Sequence, residues 1–140
     1  MNVLDTRDLI EKRDELKEEI LNSFLETFPQ YEDVTDSYED ILMEEEEIQN
    51  WKEGWSEEIN QIEEIDSIED EIGSEFDYGT TLIDKNDMEE YVKDLIEDLG
   101  YIPKDFPSWI EIDWSSTTDN VLQDYSEVTY QGTEYFYSNY

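Results

Sequence analysis

The sequence predicts an α+β protein in which long acidic helices are followed by a small mixed lobe with a C-terminal β-hairpin. Three observations predict it. Apolar residues recur at helical spacing through most of the first 73 residues. After Gly73 the pattern breaks into shorter segments punctuated by Gly and Pro. The chain then closes on SEVTYQGTEYFYS, two alternating runs on either side of Gln131 and Gly132. Residues 1–73 therefore read as a helical acidic region and residues 74–140 as a small α+β lobe.

The first helix starts at a cap supplied by Asp5 or Thr6. Leu9, Leu16, Ile20, Phe24 and Phe28 form its stripe, widened by Ile10, Leu21 and Leu25, and Pro29 ends it. Its early part mixes signs, so Glu11, Lys12, Arg13, Asp14, Glu15 and Lys17 can pair across one turn. Residues 30–37 read as a connection, and Asp36 or Ser37 caps a second, long helix that stops at Gly73. Its seam is Ile41, Ile48, Trp51, Trp55, Ile59 and Ile62. Ile65, Ile68 and Ile72 rotate away from that seam, and Asp66 to Glu69 resembles a capping box, which predicts a break near Asp66. Gly54 is a second weak point.

In the second region Thr80 to Ile83 reads as a short strand. Asn86 or Asp87 caps a helix running through Leu99, and Gly100 ends it. Pro103 and Pro107 keep the next stretch non-helical, and Asp113 caps a short helix from Trp114 to about Asp124. The hairpin follows.

Charge bounds the function. The chain carries 42 Asp and Glu against 8 Lys and Arg, a formal charge of -34. From Glu18 onward there are 37 acids and 4 bases. Such a chain is repelled by nucleic acid and by anionic membranes. The partner this predicts is a basic protein. The absence of Cys and His removes disulfides, thiol nucleophiles, imidazole bases and Cys/His zinc sites. No phosphate-cradling glycine loop or serine elbow is present, and carboxylates are too abundant for any pair to stand out as an acid–base couple. The run from Asp84 to Glu89 begins like a calcium loop but lacks glycine at its sixth position. These readings predict a protein that is not an enzyme, with no cofactor and no dedicated metal site. The opening MNVLDTRDLI lacks a cationic segment followed by an apolar run, and no stretch approaches the roughly 20 apolar residues of a membrane span. The expected location is the cytoplasm.

The long helix is the candidate site. Residues 36–72 hold 16 carboxylates and one cation. As one helix they would extend roughly 55 Å, with a carboxylate about every 3.5 Å along the axis. One strand of B-DNA carries a phosphate about every 3.4 Å. Glu39, Glu46, Glu53, Glu57, Glu64 and Glu71 form a stripe opposite the seam, flanked by Asp40, Glu45, Glu47 and Glu63. A helix made only for solubility mixes Lys with Glu, because like charges one turn apart repel. Withholding cations here predicts that the negative field itself is what a partner reads. The first helix is too short to cover the whole Ile/Trp seam, which leaves one end of the long helix for a second copy of the chain.

Several short motifs occur in a telling order. Thr6-Arg7-Asp8-Leu9 stands near the start, and Thr81-Leu82-Ile83 precedes Met88-Glu89-Glu90-Tyr91. Asp98-Leu99-Gly100, Ile112-Asp113-Trp114 and Gln123-Asp124-Tyr125-Ser126-Glu127-Val128 then lead into the Gly-centred hairpin. This order resembles the ArdA-like antirestriction proteins of phages and plasmids, most closely over residues 80–137. The resemblance implies a DNA mimic, often an elongated dimer, that occupies the DNA groove of a restriction–modification enzyme or its methyltransferase in the host cytoplasm. An anti-CRISPR inhibitor of a Cas nuclease is the same physics with another target. An acidic chaperone or scaffold for a basic protein is the reading from a different class.

Overall fold

The computed structural model describes residues 1–139. The chain forms two compact units, residues 7–78 and residues 1–6 with 79–140. Its elements run β1 (Val3–Asp5), α1 (Thr6–Thr27), α2 (Glu46–Glu53), α3 (Ser56–Ile72), α4 (Glu75–Tyr78), β2 (Thr81–Asp84), α5 (Met88–Asp98), α6 (Trp114–Leu122), β3 (Tyr125–Tyr130) and β4 (Thr133–Ser138). This is the α+β architecture the sequence predicts, with the hairpin at the C-terminal end.

In the unit 7–78, α1 and α3 run antiparallel. Ser23 Oγ accepts from the indole N–H groups of Trp51 (3.0 Å) and Trp55 (3.2 Å). Ten residues earlier on α1, Arg13 reaches Asp66 and Glu69, further along α3. The core between these contacts holds Leu16, Ile20, Phe24, Ile41, Ile48, Ile59 and Ile62. Phe24 meets Trp51 edge-on at 5.4 Å between ring centres and stacks on Tyr31 at 5.7 Å. Each fully buried Ile or Phe contributes about 1.5–3 kcal/mol, so this apolar seam holds the unit together against its charge. Along the seam, Ile41, Ile48, Ile59 and Ile62 pack against Leu16, Ile20 and Phe24 of α1.

The single helix expected over residues 36–72 is not formed. Tyr38–Asp40 is one 3-10 turn, held by the Asp40 carboxylate, which accepts from the N–H groups of Asp36 (3.1 Å) and Ser37 (3.2 Å). The chain turns through residues 41–45 before α2 begins, and α2 ends at Gly54. There the N–H of Trp55 donates to the carbonyl of Lys52 at 2.9 Å, a tightened final turn. The break falls at Gly54, the poorest helix former in the segment.

No break occurs at Asp66, because α3 is continuous from Ser56 to Ile72. The Asp66 side chain accepts from Arg13 instead of capping a new helix. Ile59, Ile62, Ile65 and Ile68 are all buried. A repeat of three residues moves the buried line about 60° around the helix at each step. The apparent loss of the seam is therefore a winding of the buried face.

In the other unit, all sheet pairings are antiparallel and the order is β1-β2-β4-β3. Thr6 is buried where β1 gives way to α1; its N–H donates to the carbonyl of Thr80 (3.0 Å), and its hydroxyl accepts from the Thr80 N–H (2.7 Å). Nothing in the sequence pattern anticipates β1, since three residues are too few for alternation to register. Ile83, Met88 and Val92 form a buried cluster packed by Tyr91, Ile96, Val121, Leu122, Tyr125 and Phe136. The hairpin turn has positive φ at both Gln131 (51°) and Gly132 (79°), the pattern of a type I′ turn. Among the described residues, no helix is long and apolar enough to cross a membrane.

Candidate functional site

The unit 7–78 carries 27 acids and 5 bases, a net -22. Its interior is apolar, so the folded chain pushes these carboxylates outward. Of the ten carboxylates predicted to act, Glu39, Asp40, Glu45, Glu46, Glu47, Glu53, Glu57, Glu63 and Glu71 are exposed, and Glu64 is half-buried. They are distributed over three elements. Glu39 and Asp40 sit on the 3-10 turn, and Glu45 stands at the start of α2. Glu46, Glu47 and Glu53 lie on α2, and Glu57, Glu63, Glu64 and Glu71 lie on α3. Glu46 and Glu53 share a face of α2, as Glu57, Glu64 and Glu71 do on α3, because seven residues make nearly two turns.

Internal partners engage some of them. Lys17 donates to Glu39 at 2.5 Å, and this bond is the main cause that holds the Glu39 carboxyl below its ordinary pKa. Asp40 closes its own turn. Glu47 accepts from the Tyr31 hydroxyl, which keeps that phenol protonated above its ordinary range. Among the described residues, Glu46, Glu53, Glu57, Glu63 and Glu71 make no ion pair.

Two further carboxylates on α3 are taken up internally. Arg13 Nη1 lies 2.7 Å from Asp66 and 3.0 Å from Glu69, and the guanidinium sits over the Phe76 ring at 5.7 Å. Burial works against the Arg13 charge, but the hydrogen bonds it donates to Glu69 and Asp66 outweigh it and hold its pKa above the ordinary value.

Acids are dense on α3. The 17 residues of α3 carry eight carboxylates, one about every 3.2 Å of axis. Setting aside Asp66 and Glu69, which pair with Arg13, and the half-buried Glu58 and Glu64, four exposed carboxylates remain on α3, one about every 6 Å of axis, against about 3.4 Å between phosphates of one DNA strand. The straight rod is also lost, since Gly54 divides the charge between two shorter helices.

Sequence reasoning missed a contribution from α1. Asp8, Glu11, Asp14, Glu15, Glu18, Glu19 and Glu26 are all exposed on it. The signal was present in the composition after Lys17, where α1 has three acids and no base. Mixed charge in its first turns masked it.

The carboxylates of the run that begins like a calcium loop make internal hydrogen bonds. Asp84 accepts from the Asn86 N–H at 2.9 Å and from the Asn2 amide at 3.1 Å, and Asp87 accepts from the Asn2 N–H at 2.7 Å. Among the described residues, no group of three or more acids is placed to hold a metal ion. No protein-family model, curated protein or solved structure matches this chain.

Proposed function

We propose that the protein is a DNA-mimic inhibitor that occupies the basic DNA groove of a host defence nuclease in the bacterial cytoplasm. The observation that carries this reading is the carboxylate-rich surface fixed on α2 and α3, on which Glu46, Glu53, Glu57, Glu63 and Glu71 are exposed and, among the described residues, make no ion pair. Lys and Arg side chains that hold DNA phosphates can hold carboxylates in the same way. Because these helices are already ordered, little conformational entropy is lost on binding. The ordered motifs that resemble the antirestriction family make a restriction–modification complex the first target to test. The chain acts by occupancy, with no chemical step.

The test is competition. A purified restriction–modification complex is loaded with labelled duplex DNA, and the protein is titrated in at several salt concentrations. Stoichiometric displacement, weakened by salt, is the expected result. Converting Glu46, Glu47, Glu53 and Glu57 to Gln is expected to weaken displacement and flatten its salt dependence. Binding to many unrelated basic proteins, with nuclease activity unaffected, would replace the inhibitor reading with that of an acidic chaperone.

A further inference from the structure

The segment between α5 and α6 carries a feature that the carboxylate array leaves unexplained. Leu99, Tyr101, Trp109 and Ile110 are four of the nine large apolar side chains exposed among the described residues, and they fall within twelve positions of sequence. Trp109 is 81% exposed and Tyr101 73%. Scattered apolar residues are ordinary on a surface, but a concentration with a nearly bare tryptophan marks a contact site.

Backbone hydrogen bonds shape the chain under these side chains. α5 ends in a Schellman motif: Tyr101 N–H donates to the Ile96 carbonyl (3.3 Å), Gly100 N–H to that of Glu97 (3.1 Å), and Gly100 has φ 72°. In such motifs the residue at the Tyr101 position frequently packs back on the helix. Here its ring faces water. Two turns follow, closed by Phe106 N–H to Pro103 O (3.1 Å) and Ile110 N–H to Pro107 O (3.1 Å). Trp109 stands at the third position of the second turn. Aromatic rings on a hydrogen-bonded backbone lose few rotamers when they dock, which suits them to be anchors.

Charge selects the occupant. Glu97, Asp98, Asp105, Glu111 and Asp113 are exposed along the same segment, with Lys104 its one cation. Anionic lipid and nucleic acid are repelled, and a second copy brings another -34. A protein surface with an apolar pocket edged by arginine is attracted, and guanidinium groups also stack on Trp and Tyr faces.

We infer that residues 99–110 are an aromatic anchor that docks into an arginine-edged apolar pocket on the same target protein whose DNA groove the carboxylates occupy. The identity of that target rests on the inhibitor reading. The array supplies attraction and steering, whereas the aromatic side chains of the anchor add burial that salt does not screen.

The test uses the full chain, the purified restriction–modification complex and labelled duplex DNA. Trp109→Ala combined with Tyr101→Ala is expected to weaken displacement by about 30-fold while leaving the slope of log affinity on log salt unchanged. Trp109→Phe is expected to recover most of the loss. Circular dichroism spectra that superimpose on the parent show that the double variant is folded. Displacement by the double variant equal to the parent's overturns the anchor and leaves the inhibitor reading standing. Failure of the parent protein to displace DNA overturns both. Self-association of the parent by sedimentation, abolished in the double variant, overturns the anchor in favour of an interface between copies.

Discussion

At the scale of residues, Arg13 shows how the fold tolerates its charge. Its side chain is only 11% exposed, yet it meets two carboxylates and an aromatic ring. Replacing it with Ala leaves Asp66 and Glu69 close together without a cation. Arg13→Ala is expected to lower the unfolding free energy by about 1–3 kcal/mol in urea titrations. Lys17→Ala, at a more exposed pair, is expected to cost less than about 1 kcal/mol. A larger loss at Lys17 than at Arg13 would show that burial does not set the order. Glu39 gives the same pair a pH signature. Its folded pKa lies below the ordinary 4.5, chiefly through the Lys17 hydrogen bond. The pair therefore stabilises the fold above the ordinary carboxylate value and loses that contribution as pH falls through the lowered one. Carboxyl NMR titration is expected to show Glu39 moving up toward 4.5 in Lys17→Ala. Among the described residues, none of the one-turn ion pairs expected within residues 11–17 forms; Arg13 and Lys17 reach instead to Asp66, Glu69 and Glu39. The Arg13 contacts span 53 and 56 residues, and no short-range pattern encodes them.

At the scale of elements, those with a clear beginning and end were readable. The sequence places the starts of α1, α5 and α6 and the hairpin, because caps, Gly and Pro punctuate them and their periodicity is unbroken. The second helix was misread because a repeat of three looks like a lost seam, and because Asp66 has a tertiary partner stronger than its capping tendency. Two substitutions test the local chemistry of these elements. Gly54 has φ -68°, a helical value that any residue adopts, so its role is weak propensity rather than a required conformation. Gly54→Ala is expected to raise stability by up to about 1 kcal/mol; a loss would mean that the break itself is needed for packing. Gln131 does sit at positive φ, where Asn is the better residue in a type I′ turn. Gln131→Asn is expected to raise the melting temperature by about 1–2 °C, equivalent to about half a kcal/mol in a chain of this size. An unchanged or lowered melting temperature would show that the Gln131 side chain contributes more than its backbone strain costs.

At the scale of the whole molecule, the sequence shows the charge but not its partition. The unit 7–78 holds -22 over 72 residues, and the unit formed by 1–6 and 79–140 holds -12 over 68. Self-repulsion grows faster than linearly with charge, so the first unit bears the larger electrostatic load. Screening should relieve it more. Raising NaCl from about 0.05 M to about 0.5 M shortens the Debye length from roughly 14 Å to roughly 4 Å, below the distance between many of the exposed carboxylates. The melting temperature is expected to rise, and amide exchange in α3 to slow by a larger factor than in β4. The same amount of salt is expected to weaken DNA displacement, because it screens attraction to the target as well as repulsion within the chain. Stability and binding therefore move in opposite directions along one variable. A melting temperature that is flat or falls with salt would mean that the carboxylates are already neutralised in the free protein. An array already neutralised has no unscreened field to offer a DNA-binding groove, so that single result would weigh against the inhibitor reading before any target is tried.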